Sequence, residues 1–318
     1  MSIAYRHHIY DYLLMERLLI RLAKKWSAGA DINDALLAAK NCNMKGQEAI
    51  LNCLGEDYTE EEKINRTVKE YCTLLERLYD DEIEGCISIK LSQVGLSLNY
   101  DLCLNNMKAI TARAKELGIF IWIDMECSKY TDSTLAIYLV LLNYYNNIGV
   151  VLQSTLRRSA SDLLHLLEVD GTVRLVKGAY RENEEVAFRS NAEINANYTK
   201  LLKILFGRAR CGYDLKNSRL DNTYNNNNNT LMFAIATHDS RLIQYGIELW
   251  KKSRVDIKNF EFQFLRGIRD ELKKDLTEKG FRTAEYIPYG REYLHYSIRR
   301  LRERKRNIFL LARSLVQS

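Results

Sequence analysis

Along most of the chain, short apolar or β-branched runs alternate with longer stretches whose apolar residues recur at helical spacing. The runs are AILNCLGE at 49–56, GCISIKLS at 85–92, IFIWIDME at 119–126, GVVLQ at 149–153, VRLVKGA at 173–179, MFAIATH at 232–238, FEFQFLR at 260–266 and AEYIPYG at 284–290. Most begin roughly 25 to 35 residues after the one before, the length of one strand and helix unit. Eight such runs in regular alternation predict an α/β fold, a parallel sheet closed as a (β/α)8 TIM barrel.

The flanks and one connection depart from this rhythm. HIYDYLLMERLLIRLAKKW carries apolar residues at helical spacing, and residues 1–45 are expected to form an N-terminal helical segment packed outside a barrel that spans 46–318. Between the fifth and sixth runs the spacing roughly doubles; the excess holds KNSRLDNTYNNNNNT, with five consecutive asparagines at 225–229. Such a composition cannot bury enough apolar surface to order itself, so about 215–230 is read as a polar insertion. After the last run a helix is expected over about 291–303, with Leu294, Ile298 and Leu301 on one face and Tyr296, Arg299, Arg300 and Glu303 on the other.

With 318 residues, 47% hydrophobic and 28% charged, the chain can bury a large core. Its net charge of +6 is modest, and much of it lies in six basic residues between Arg299 and Arg306. That distribution argues against a chain-wide nucleic-acid groove. No apolar run approaches the ~20 residues of a membrane span, and the N-terminus lacks the pattern of a signal peptide. The seven cysteines are odd in number and never in C-x-x-C spacing. They read as buried thiols in a reducing, cytoplasmic setting, with no metal site.

A barrel of this kind performs chemistry at the C-terminal ends of its strands. Those ends carry Glu56, Lys90, Asp124 and Glu126, Gln153, Arg174 and Lys177, Thr237 and His238, Gln263, and Tyr286. Lys90 and Asp124 close otherwise apolar runs; each needs a partner across the mouth or a ligand, and a structural ion pair satisfies that as well as a catalytic site does. Arg174 and Lys177 interrupt a strand that is followed at once by Gly178 and Ala179. Small residues admit close approach of a backbone to a ligand, and two cations suit an anion or an electron-rich ring; a capped strand end with surface cations is the structural alternative. Thr237 and His238 can donate to phosphate oxygens, or His238 can be a satisfied rim residue. No G-x-G-x-x-G or G-x-x-x-x-G-K-[ST] occurs, so a nucleotide would be held without either grip. Arg299 and Arg300 lie one turn after Tyr296 and one turn before Glu303, which suits a site that grips a carboxylate bidentately. Arg302, Arg304, Lys305 and Arg306 read as a solvated cluster.

SIKLS, IWIDME, VLQSTLRR, VRLVKGAY, ATH, FEFQFLRGIRDEL and YIPYGREYLHYSIRRL occur in the order and spacing of the proline dehydrogenases, and over roughly residues 45 to 310 the chain resembles the short single-function bacterial form of that family. The resemblance implies a distorted (β/α)8 barrel with the C-terminal helix over its mouth, holding FAD non-covalently. It implies oxidation of L-proline to 1-pyrroline-5-carboxylate, the first step of proline catabolism, with electrons passed to a membrane quinone and peripheral contact with the inner face of the membrane. Lys90, Arg299 and Arg300 would bind the proline carboxylate, and Tyr286 and Tyr296 would pack around the substrate ring. Asp124 and Arg174 would be the catalytic residues, the arginine near the flavin N5. Met125, Gln153, Lys177, Gly178, Ala179, Thr237 and His238 would hold the FAD. Arg181 stands where the family often has Trp, ATHD replaces the commoner ATHN, and RRLRERKRN is more basic than usual. Tyr286 in YIPYG resembles the proline-using branch rather than relatives that use hydroxyproline, the nearest alternative substrate. A basic RNA-binding or scaffold protein is the alternative of another class; it predicts cations and aromatics along one exposed surface.

Overall fold

Eight parallel strands pair in chain order, and the last closes on the first. They are β1 (Glu48–Cys53), β2 (Gly85–Lys90), β3 (Ile121–Asp124), β4 (Ile148–Gln153), β5 (Thr172–Val176), β6 (Phe233–Ala236), β7 (Phe260–Leu265) and β8 (Arg282–Tyr289). The computed structural model describes residues 25–212, 232–253, 255–293 and 296–297, without the side chains of 209–212. The N-terminal stretch to residue 24, the Asn-rich insertion and the residues from 298 onward, Arg299 and Arg300 included, lie outside these.

Each expected strand is present, but the sheet ends sooner than the apolar runs do. Glu56, Glu126, Lys177, Gly178, Ala179, Thr237 and His238 all follow the last residue of their strands. Gly55 (φ 144°) and Gly178 (φ 114°) turn the chain out of the sheet in conformations that other residues rarely adopt.

Between the strands run α1 (Ile32–Asn43), which precedes β1, then α2 (Glu61–Asp80), α3 (Tyr100–Glu116), α4 (Thr131–Leu142), α5 (Ser159–Glu168), α6 (Asn191–Gly212), α7 (Ser240–Lys252) and α8 (Asp270–Glu278). In α2 the buried face is Ile64, Thr67, Tyr71, Leu74, Leu75 and Leu78, an apolar stripe at helical spacing. Asn99 caps α3 by accepting from the Leu102 amide at 2.9 Å. α1 packs on β1 and β8. Tyr293 and Tyr296 begin a helix directly after β8, where the Tyr296 amide donates to the Glu292 carbonyl at 3.1 Å.

The main core lies between sheet and helices, and a second cluster fills the barrel: Ile50, Cys86, Phe120, Trp122, Ala234 and Ala284, with Tyr286 packed against it. Trp122 fits because Gly149 faces it from β4; a Cβ there would stand 2.5 Å from the indole ring. The cysteines at 42, 53, 86 and 103 are buried free thiols and those at 72 and 127 are half-buried free thiols. Among the described residues no helix is long and apolar enough to cross a membrane.

Candidate active site

A cavity of about 460 Å³ opens at the C-terminal ends of the strands. Strand alternation decides what reaches it. On β2 and β3 the inward positions end in Ser88 and Lys90 and in Trp122 and Asp124, and the pairing sets Lys90 beside Asp124.

At the cavity floor Arg174 and Asp124 form a buried ion pair, Nη2 to Oδ1, with side chains 3% and 14% exposed. The Ser88 hydroxyl donates to Asp124 Oδ1 at 2.9 Å and accepts from Arg174 Nη2 at 2.8 Å. Tyr286 donates its hydroxyl to Asp124 Oδ2 at 2.8 Å, and Arg174 Nη1 donates to Gln263 Oε1 at 3.2 Å. The guanidinium lies 5.0 Å from the Trp122 ring centroid and 5.6 Å from that of Tyr286, so aromatic faces meet the cation on two sides. Burial pushes the Tyr286 phenol well up, and the Asp124 carboxylate adds to this. The tyrosine therefore stays a hydrogen-bond donor at any working pH.

The opposite wall belongs to the loops after β4, β5 and β6. Gln153 is buried and donates its amide to the Glu126 carbonyl at 2.8 Å. A Cβ at Gly178 would lie 3.0 Å from both Gln153 Oε1 and Thr155 Cβ, so the bare backbone there is a cradle that any side chain would fill. Lys177 Nζ donates to Asp239 Oδ2 at 2.8 Å, which holds the Asp239 carboxyl below its usual range. Asp239 also caps α7 through the Arg241 amide at 3.0 Å, and its own amide donates to Thr237 Oγ1 at 3.2 Å. The aspartate of ATHD thus fixes the lysine and the threonine together.

Every described residue named for the site from sequence lines this cavity: Lys90, Asp124, Met125, Gln153, Arg174, Lys177, Gly178, Ala179, Thr237, His238, Tyr286 and Tyr296. Glu126 corrects the reading of strand ends. It does not line the cavity but accepts from the Ser92 amide at 3.0 Å and from the Ser92 hydroxyl, and burial pushes its carboxyl up. The strand ends at Asp124, so alternation counted past that point has no meaning.

Sequence reasoning also missed partners. Ser88 and Asn52 lie at inward positions of apolar strands, where period-2 counting reveals them. Tyr180 donates to Glu56 Oε2 at 3.0 Å and so joins two loops across the mouth. Glu182 clasps the next pair of loops by accepting from the Ser128 amide at 2.7 Å and its hydroxyl at 2.5 Å; these side-chain contacts span 124 and 54 residues of sequence, and no local signal announces them.

A family model described as proline dehydrogenase matches residues 35–310. A proline dehydrogenase of Deinococcus radiodurans is 32% identical over 96% of the chain and 93% of its own length. Proline dehydrogenase 1 of Bacillus subtilis subsp. natto is 29% identical over 98% of the chain and 99% of its own. Among solved structures, proline utilization A from Bdellovibrio bacteriovorus inactivated by N-propargylglycine superimposes with a TM-score of 0.80 at 23% identity; the match covers 92% of the present chain and 33% of that one. This last likeness concerns the fold alone.

Proposed function

The chain belongs to the proline dehydrogenase family, and from that premise we propose that it oxidises L-proline to 1-pyrroline-5-carboxylate with a non-covalent FAD in the barrel mouth, the electrons passing on to a quinone. One observation carries this reading: the buried pair of Arg174 and Asp124, walled by Trp122 and Tyr286, in the floor of an open cavity of about 460 Å³. A buried cation, 3% exposed, beside a space of ligand size is a device for stabilising negative charge that develops next to it.

The residues of the opposite wall suit a flavin nucleotide. Gly178 and Ala179 expose backbone, Lys177, Thr237 and His238 are able to donate to phosphate oxygens, and Gln153 and Met125 complete the wall. Bound there, FAD supplies a hydride acceptor. Arg174 would favour the added electron density at that acceptor. Asp124 keeps the arginine aligned through Nη2, and Tyr286 holds the carboxylate from its far oxygen.

At the substrate, hydride leaves the ring carbon beside nitrogen on the side away from the carboxylate. The amine must be neutral for this, while the carboxylate must be fixed at the other end. Lys90 reaches the cavity as one anchor, and Arg299 and Arg300 are proposed as the others from their place after the last strand. Tyr286 and Tyr296 bound the space between. Truncating either arginine to alanine is expected to raise KM for proline by about 30-fold or more, as for a charge-assisted pair worth at least ~2 kcal/mol. FAD content should stay at the parent level; flavin loss with an unchanged KM contradicts the assignment.

The decisive experiment is the visible spectrum of the purified protein before and after anaerobic addition of L-proline. Flavin bands that bleach support cofactor and substrate together. Bands that bleach faster with hydroxyproline move the substrate assignment to that imino acid, and protein that neither carries nor takes up FAD refutes the proposal. Proline-dependent reduction of a soluble quinone analogue tests the acceptor separately.

A further inference from the structure

Below the cavity the apolar cluster inside the barrel is interrupted on β7 by buried polar side chains, where parallel barrels favour branched aliphatic layers. On β7 the sequence FEFQFL turns its phenylalanines outward; Phe260 meets Phe206 of α6 at 5.4 Å. Glu261 and Gln263 therefore point inward, 2% and 3% exposed. Gln263 Nε2 donates to Glu261 Oε1 at 2.6 Å, and Gln263 Oε1 accepts from Arg174 Nη1 at 3.2 Å. The chain of contacts from Asp124 through Arg174 thus continues to a carboxyl group deep in the barrel. Beneath it, Arg282 Nη2 lies 3.9 Å from Glu261 Oε2 and 2.8 Å from Glu48 Oε1.

We propose that Glu261 is a positioning residue for the oxidation, acting on Arg174 through the side-chain amide of Gln263. The inference rests on the proposed function for what Arg174 does, while the coupling of Glu261 to Arg174 stands on geometry alone. An ionised carboxylate only accepts hydrogen bonds, so it holds the Gln263 nitrogen towards itself and leaves the amide oxygen for the guanidinium. A protonated Glu261 can donate to that oxygen instead. The amide is then free to turn, which sets its nitrogen against Arg174, donor against donor. Arg174 would lose an acceptor and with it part of its alignment.

Glu261 titrates where this matters. Burial pushes its carboxyl from the ordinary 4.5 up to about 7; Glu48 raises it further, while Arg282, Gln263 and Arg174 pull it down. Among the described residues the charged groups facing it are Glu48 from β1, Arg174 from β5 and Arg282 from β8, and its β6 neighbour in register is the apolar Ala234. Asp124 already compensates Arg174, and Glu48 compensates Arg282. Glu261 shares Arg282 with Glu48 and is the more distant partner, at 3.9 Å against 2.8 Å.

The test uses the FAD-loaded enzyme and, separately, unfolding without substrate. In anaerobic single-turnover reduction by L-proline, the limiting rate of the parent should rise about tenfold as pH passes through about 7, the equivalent of one hydrogen bond. Glu261→Gln should lose that step and keep the later rise due to the substrate amine, with KM within about twofold of the parent.

The stability measurement has a defined sign. A carboxyl raised in the fold holds its proton more tightly than the unfolded chain does. The parent should therefore lose stability relative to Glu261→Gln as pH climbs from 4.5 to about 7, and level off above that. Removing the arginine's charge in Arg174→Met, or the bridge in Gln263→Met, should carry that fall to higher pH; the two variants cover each other if one folds poorly. A rate step that survives in Glu261→Gln overturns the proposal, as does a stability window that neither second variant moves. Parent enzyme that proline fails to reduce at any pH refutes the proposed function instead, and the unfolding series still decides the coupling.

Discussion

Replacing Asp124 with alanine is expected to lower kcat/KM for proline by about 100-fold or more, the scale of loss when a catalytic group is displaced by roughly 1 Å. The reason is the company the carboxylate keeps. Arg174 is 3% exposed, and its Nη2 meets Asp124 directly. Without that partner the guanidinium is a buried charge with only the neutral acceptors Ser88 and Gln263. Such an orphaned charge turns towards water or draws water in, and the unpaired state costs about 3 kcal/mol of folding stability. Tyr286 loses the acceptor of its hydroxyl in the same step. Asp124→Asn separates charge from shape, because it keeps an oxygen for Arg174 and removes the negative charge. Its stability should lie between parent and alanine variant, with most of the rate still lost. Steady-state turnover and urea unfolding on both variants check this; an alanine variant within about threefold of the parent in kcat/KM would show that Asp124 does not set the geometry of Arg174.

The barrel was legible in the sequence because its strands are buried on both faces. Runs such as GCISIK and IGVVLQ then stand out as continuous apolar blocks whatever their register. Their C-terminal limits were not legible, since Leu54, Met125 and Ala179 are as apolar as the strands they follow. Only the backbone turns at Gly55 and Gly178 mark the exit. The cavity residues were legible for a related reason. A charge inside an apolar block has few places to go, so Lys90, Asp124 and Arg174 announced themselves. FEFQFL held the same kind of signal for Glu261: strict alternation in a strand covered by helices leaves the barrel axis as the only place for its polar face. The clasps between loops, Tyr180 with Glu56 and Ser128 with Glu182, had no such signal, because their partners meet only once the barrel has closed.

Gly178→Ala tests the other wall, and purified variant is expected to retain about a tenth or less of the parent's FAD. The substitution adds one carbon at a position with φ 114°, a conformation that costs an L residue about 1–3 kcal/mol. The carbon also has no room: it would lie 3.0 Å from Gln153 Oε1 and Thr155 Cβ and 3.1 Å from Thr155 Oγ1. The backbone cannot easily retreat, because the Ser154 amide donates to the Val176 carbonyl at 2.9 Å and the Thr155 amide to the Lys177 carbonyl at 2.8 Å. These bonds stitch the two residues before the glycine to the end of β4. Relief must therefore come from the Gln153 side chain, which is itself anchored on the Glu126 carbonyl, or from a tilt of the loop that carries Lys177. Either movement deforms the surface offered to the cofactor. A strain of that size lowers Tm by only about 2–4 °C in a chain of this length, so flavin content should collapse in protein that is still folded at assay temperature. Excess FAD should restore part of the turnover, since the substitution weakens binding and leaves Arg174 and Asp124 in place. Full FAD retention with parent kinetics would mean that the cofactor does not rest on Gly178, and the nucleotide side of the cavity would have to be assigned to other residues.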